Sequence, residues 1–305
     1  MSFTTCSLAC DDRAAQARWH ALWDLSPQRT AFSSLAYLTA AARAYSLRAR
    51  MHLVSREGID EAGVIVLWRR CVALKQVVQA PFTQYSALLA REPPSEALVH
   101  CRRDPLDALL QSLERSYARV QLLAHVDDPR PAQWRRWRVS PLFTYCLDPG
   151  AGVADWSASA ARTFRKHRAS FEIEESPRVA ADIVSLCRDS YRRHGRRLPA
   201  RPARLLSLIA SLGDCVRCFA ARRHGATSPE AGLAVLHDGA TAHYWVAGSL
   251  PGPSMTVLIG HVLPLLHTGG ITTFDFTGAN TASVAEFKRR FGPVLTPYCT
   301  LTWHR

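Results

Sequence analysis

Of the 38 basic residues in this 305-residue chain, only Lys75, Lys166 and Lys288 are lysines. A compact ammonium has three rotatable donors and a pKa that shifts readily on burial, so a lysine kept among arginines marks a place where a planar fork would not serve. Lys288 stands in the run Glu286-Phe-Lys-Arg-Arg-Phe-Gly292. On a helix Phe287 and Phe291 share one face at i and i+4, which makes both core. Lys288 then falls about 100° round, at the edge of the apolar face, where a long side chain reaches into a groove. Arg162, Arg165 and Lys166 have the i, i+3, i+4 spacing of a single helix face. Such a face suits a phosphate and equally suits bulk water. Asp275 lies between Phe274 and Phe276 in a strand, so its carboxylate faces away from both rings. It reads as a general base or as an acceptor of backbone N–H groups at the turn that follows.

Other chemistry is harder to assemble. Nine cysteines, odd in number and irregularly spaced, read as reduced thiols. Cys215-Val-Arg-Cys218 is the one CxxC, with no second pair and no His-x3–5-His beside it, so no metal is expected. The twelve histidines are scattered. The net charge is +13, and its densest run, Arg188 to Arg204, includes Arg192 and a single acid, Asp189. A field of that sign attracts phosphates, whether of a nucleic acid, a nucleotide-linked substrate or an anionic membrane.

These residues need a large scaffold. The length implies one large or two medium domains. With 48% hydrophobic and 21% charged residues, a disordered, collagenous or small disulfide-bonded chain is excluded. No apolar run reaches the roughly 18 residues that span a bilayer. The first residues lack the basic-then-apolar pattern of a signal peptide, so a cytoplasmic location without stable membrane insertion is expected.

Helical spacing is found over 12–24, 33–46, 157–170, 178–193, 202–211, 255–267 and 283–290, with a further helix opened by Pro105. Strands are expected at 48–56, 62–68, 72–78, 85–89, 120–124, 138–147, 171–175, 215–222, 231–237, 242–247, 271–276 and 295–301. Asp148-Pro-Gly-Ala-Gly152 is the strongest punctuation and divides the chain into domains 1–150 and 151–305. The order is mixed α/β with mostly antiparallel sheets, and the second half repeats the first.

At Phe274, Asp275, Phe276 and Gly278, followed by a loop and then Phe287, Lys288, Phe291 and Gly292, the chain resembles the FemAB-like and BioF2-like branch of the GNAT acyltransferase superfamily. Arg162 to Arg168 resembles that family's basic helix opening the second domain. Tyr191-Arg-Arg-His-Gly195 stands where the family has a tyrosine and basic residues. The resemblance covers residues 155–300; in the first half it rests on element order and on Ala80-Pro-Phe-Thr-Gln-Tyr85.

The resemblance implies tandem GNAT-like domains and an enzyme in which a substrate amine attacks an activated acyl group. It implies Lys288 as a phosphate ligand or oxyanion stabiliser, with Tyr244 and Asp275 as its catalytic companions. Arg162, Arg165, Lys166, Tyr191, Arg192, Tyr85 and Asn280 would contact substrate or phosphate. No Ser-His-Asp or Cys-His nucleophile can be argued, so direct transfer is expected. Acyl-CoA enzymes of this superfamily cradle pyrophosphate on R/Q-x-x-G-x-G/A. Here Ser249-Leu-Pro-Gly-Pro-Ser254 occupies that place, and its two prolines remove two N–H donors. An aminoacyl-tRNA donor is therefore expected, with acyl-CoA as the alternative. No cofactor is expected beyond the donor. The partners would be tRNA and a small-molecule or peptide amine. A non-catalytic GNAT-like protein that binds phosphate or nucleic acid is the remaining reading, and oligomeric state is unreadable.

Overall fold

Residues 3–91 and 100–305 are described by a computed structural model. Two units divide them. One comprises Met1–Leu142 with Pro297–Arg305, the other Phe143–Thr296.

In chain order the elements begin with β1 (Thr4–Ala9), α1 (Arg13–Leu25), α2 (Leu35–Tyr45), β2 (Arg48–Arg56), β3 (Ile59–Cys71), β4 (Leu74–Val77) and β5 (Ala87–Ala90). They continue with α3 (His100–Ser116), β6 (Arg119–Ala124), α4 (Arg130–Trp134) and β7 (Arg138–Leu147), within which the division falls. Then come α5 (Ala158–His167), β8 (Phe171–Glu175), α6 (Ala180–Arg193), α7 (Pro202–Ser211), β9 (Val216–Arg223), β10 (Ala231–His237) and β11 (Thr241–Ser249). The last are α8 (Ser254–Thr268), β12 (Thr273–Asp275), α9 (Ala282–Arg289) and β13 (Val294–His304).

The two units repeat one plan. In the first, β1, β2, β3 and β4 form an antiparallel meander, and β4 is joined in parallel by β6, which pairs antiparallel with β13. In the second, β8, β9, β10 and β11 form the meander, and β11 is joined in parallel by β12, which pairs antiparallel with β7. Each parallel step needs a crossover, supplied by α3 in one unit and α8 in the other. The fold is thus mixed α/β with mostly antiparallel pairing.

Local chemistry explains the ends of the elements. Asp12 caps α1 by accepting the Ala14 and Ala15 N–H groups at 2.8 and 3.4 Å, and Ser34 caps α2 through Tyr37. The core of the second unit gathers Phe164, Phe219, Phe274, Phe276 and Phe291 between its sheet and helices. Gly248 in β11 lets α6 press against the sheet, because a Cβ there would lie 2.2 Å from the backbone of Leu186 and Cys187.

The structure departs from the sequence expectations at identifiable places. The expected break at residues 148–152 lies beyond the observed one, which falls between Leu142 and Phe143, and the residues from Pro297 onward return to the first unit. Helix α3 begins at His100, so Pro105 sits within it and forfeits one backbone hydrogen bond rather than opening the helix. Strand β1 lies outside the expected strands, because its alternation, half-buried Cys6 and Leu8 between exposed Thr5 and Ser7, is too short to stand out. The short α4 lies outside the expected helices.

Candidate functional site

In the second unit, β11 and β12 run parallel but share only three paired positions, Thr241 with Thr273, Ala242 with Phe274, and His243 with Asp275. Beyond these, β11 continues to Ser249 while the other chain turns away, so the two backbones part at Tyr244 and Phe276. Strand β11 also bulges there. Val246 pairs with Ala234 and Tyr244 with Val235, leaving Trp245 as the extra residue. A bulge re-aims side chains and interrupts the ladder, an arrangement common beside functional sites.

The turn after β12 is held by a buried polar network. Asp275 Oδ1 accepts the Thr144 hydroxyl at 2.5 Å and the Thr277 N–H at 2.8 Å. Thr144 Oγ1 accepts in turn from the Gly278 N–H at 2.9 Å. His243 Nδ1 lies 3.3 Å from Asp275 Oδ2. Thr144, His243 and Asp275 are all buried. Thr277 takes a positive φ of 53°, costly for a β-branched residue. Its hydroxyl donates to the Tyr244 carbonyl at 2.5 Å, closing the fork between the strands.

Lys288 completes this arrangement from α9. Its ammonium is buried and donates to the carbonyl oxygens of Phe276 at 2.5 Å, Thr277 at 3.4 Å and Gly278 at 2.8 Å. It also lies over the Tyr244 ring, 5.4 Å from the centroid. Burial lowers its pKa from 10.5 to about 8, opposed by the nearby Asp275 carboxylate. Three N–H groups meeting three carbonyls make Lys288 a positioning residue for the turn in this conformation. Phe287, expected in the core beside Phe291, is half-buried instead. The inward face of α9 is given to the lysine, and Phe287 meets Phe291 edge-on at 5.2 Å. Gly292 is required by its φ of 73° and by the Asp155 carbonyl, which a Cβ would approach to 2.4 Å.

Lys288, Tyr244 and Asp275 are therefore brought together, and Asn280 is close in the chain. Asn280 accepts from the Phe143 N–H at 2.9 Å and donates to the Phe143 carbonyl at 3.0 Å, fastening the loop to β7. Tyr244 is half-buried, and desolvation pushes its phenol pKa upward. Tyr191 on α6 is also half-buried, with its pKa raised by burial. Arg192 is exposed and lies 3.8 Å from Asp189. Arg162, Arg165 and Lys166 share the exposed face of α5, opposite the buried Ala160, Ala161 and Phe164. Tyr85 belongs to the first unit, where it packs with Phe32, His125 and Tyr298.

The loop between β11 and α8 has its own ties. Pro251 and Pro253 offer no N–H. Arg193 of α6 donates to the Ser249 carbonyl. The Leu250 N–H donates to the Glu230 carbonyl at 2.7 Å, and the buried Ser254 hydroxyl to the same oxygen at 3.3 Å. Among the described residues no group of three or more His, Cys, Asp or Glu could hold a metal ion. No helix is long and apolar enough to cross a membrane among them.

Sequence reasoning missed Thr144, His243 and Thr277. Register could have exposed His243, because a residue paired directly with Asp275 must share its face. Nothing local in the sequence marks Thr144, which lies 131 residues from its partner.

Residues 156–289 match the model of the acetyltransferase (GNAT) domain. No curated protein matches the chain. Among solved structures, FemX superposes with a TM-score of 0.70 at 9% identity, covering 97% of this chain and 96% of its own. A tandem GNAT protein from the clavulanic acid biosynthesis pathway gives 0.57 at 13% identity, covering 99% and 98%. The C-terminal domain (DUF2156) of a protein described as a lysylphosphatidylglycerol synthetase, from Agrobacterium fabrum, gives 0.57 at 13%, covering 94% and 91%. At these identities the likeness is one of fold.

Proposed function

We propose, from the match of residues 156–289 to the acetyltransferase (GNAT) domain, that this chain transfers an aminoacyl group from tRNA to the amine of a small molecule or peptide, forming an amide. The observation that carries the donor is the loop from Ser249 to Ser254. Two prolines withhold N–H groups where a coenzyme pyrophosphate needs them, and Arg193 spends its guanidinium on the Ser249 carbonyl. Exposed Arg162, Arg165 and Lys166 on α5, Arg192 in the last turn of α6, and Arg196 and Arg197 just past its end supply the cationic surface that a polyphosphate chain requires.

In this reading the ester carbonyl lies where β11 and β12 part, beside the bulge at Trp245. The neutral amine attacks that carbon and the C–O bond to the terminal ribose breaks. The departing oxygen takes a proton from Tyr244, whose phenol is kept protonated by burial. The proton lost by the amine passes through solvent to the Tyr244 oxygen and restores the phenol. Asp275, already accepting from Thr144 and Thr277, holds the turn in place, and Lys288 does so from the other side. No side chain becomes covalently attached.

A second reading, transfer of an acetyl group from acetyl-CoA, is favoured by the acetyltransferase description of the matching domain. The two separate in one experiment. Purified protein is incubated with charged tRNA or with acetyl-CoA and a panel of amines, and products are identified by mass spectrometry. Deacylated tRNA with a matching amide is expected. Consumption of acetyl-CoA alone overturns the choice of donor, and consumption of neither overturns the transferase reading.

A further inference from the structure

Lys75, one of the three lysines, lies on β4 in the first unit. It lines a cavity of about 380 Å³ together with Arg50, Arg115, Trp68 and Tyr117, within the size range of small-ligand sites. Three cations face this space and no carboxylate lines it. Among the described residues no ion pair engages Arg50, Lys75 or Arg115.

The wall is built rather than accidental. Arg50 is anchored through Nε to the Ser7 hydroxyl and through a terminal nitrogen to the Ser7 carbonyl, each at 2.9 Å. The Lys75 ammonium lies 5.5 Å from the Trp68 ring centroid. The Tyr117 hydroxyl is 3.1 Å from His52 Nε2, whose other ring nitrogen is 3.2 Å from the Ser112 hydroxyl. Like charges around a cavity whose lining holds no carboxylate repel one another, and a multivalent anion relieves that repulsion.

We propose that this cavity binds a phosphoryl group, carried either by a soluble phosphorylated molecule or by a phospholipid headgroup. Guanidinium and ammonium donors match the oxygens of a phosphate, and Tyr117 also lines the cavity beside them. The hairpin joining β3 to β4 rises from the rim at Lys75. At its tip Val72 is 95% exposed and Leu74 is 55% exposed. Val72 also holds a φ of 55°, a costly conformation for a β-branched side chain. Two exposed apolar side chains beside cations are what the boundary of an anionic bilayer accommodates.

The test uses the full chain in two arms. In the first, sodium pyrophosphate is titrated calorimetrically at low salt against the wild type, Lys75→Met, Arg115→Met and a charge-matched control at the exposed Arg178, Arg178→Met. Binding weakened about tenfold by each cavity variant and unchanged in the control supports a soluble ligand. In the second, sedimentation with vesicles of phosphatidylcholine alone is compared with vesicles that include phosphatidylglycerol, adding the double variant Val72→Ser/Leu74→Ser. Selective binding to the anionic vesicles, reduced about tenfold by Lys75→Met and by the double variant, supports a lipid headgroup. If neither arm shows binding, or if Arg178→Met weakens it as much as Lys75→Met, the proposal is overturned.

Discussion

The Nζ of Lys288 lies 2.8 Å from the carbonyl oxygen of Gly278, ten residues earlier in the chain, and this contact anchors the turn that ends β12. Removing the ammonium by Lys288→Met leaves buried carbonyls without donors and costs about 2 kcal/mol of stability. Lys288→Arg does not rescue it, because a planar fork cannot converge on three carbonyls of one turn. Chemical denaturation of the three proteins measures both effects, and wild-type stability in Lys288→Met would contradict the anchoring role.

The same lysine makes stability depend on pH in a set direction. Its folded pKa of about 8 lies below the ordinary 10.5. Between those values the unfolded chain binds more protons, so the contribution of Lys288 to stability increases as pH rises from 8 towards 10.5 and is lost as pH falls through 8. Buried phenols such as Tyr244 act in the opposite sense at high pH, so the informative quantity is the difference between wild type and Lys288→Met. That difference should widen by on the order of 2 kcal/mol across the window. A constant difference would show that the ammonium titrates as it does in water.

Tyr244→Phe keeps the ring under the Lys288 ammonium and removes only the hydroxyl. If the phenol protonates the leaving oxygen, kcat falls about 100-fold while KM and stability change little. Steady-state kinetics with the identified donor checks this. A fall in KM affinity with unchanged kcat would assign the hydroxyl to substrate binding instead.

Thr144→Val removes a hydroxyl that serves both the Asp275 carboxylate and the Gly278 N–H. A loss of about 2 kcal/mol is expected. Because Asp275→Asn breaks into the same network, the double variant should lose less than the sum of the two single losses. Additive losses would show two independent contacts.

Gly248→Ala and Gly260→Ala separate rigid from yielding neighbours. A Cβ at Gly248 meets the backbone of α6 at 2.2 Å, whereas one at Gly260 meets the Phe164 ring at 2.4 Å. Thermal melts should show Gly248→Ala as the worse by more than about 1 kcal/mol, since a ring can turn and a helix backbone cannot.

Periodicity located most of these elements because their faces are strongly one-sided. Strands β2, β7, β8 and β10 and helix α7 lie on the residues their patterns indicate. Legibility failed where the determinant was long-range. Val294–His304 looks like any closing strand, and only its pairing with β6 assigns its last residues to the first unit. The site followed the same rule. Lys288, Asp275 and Tyr244 could be singled out from type, spacing and family resemblance, and the fold does bring them together. The use of the lysine's protons on three carbonyls depends on where the turn at Thr277 folds back, which a side-chain inventory does not encode.

The antiparallel pairing of β13 with β6 has a consequence for synthesis on the ribosome. From Arg119 to Ala124 the partners of β6 are His304 to Cys299, so that border stays open until the residues of the second unit have emerged. Translation thus supplies every strand of the second unit before it supplies the first with its last one, and a nascent chain must shield an unfinished β edge until then.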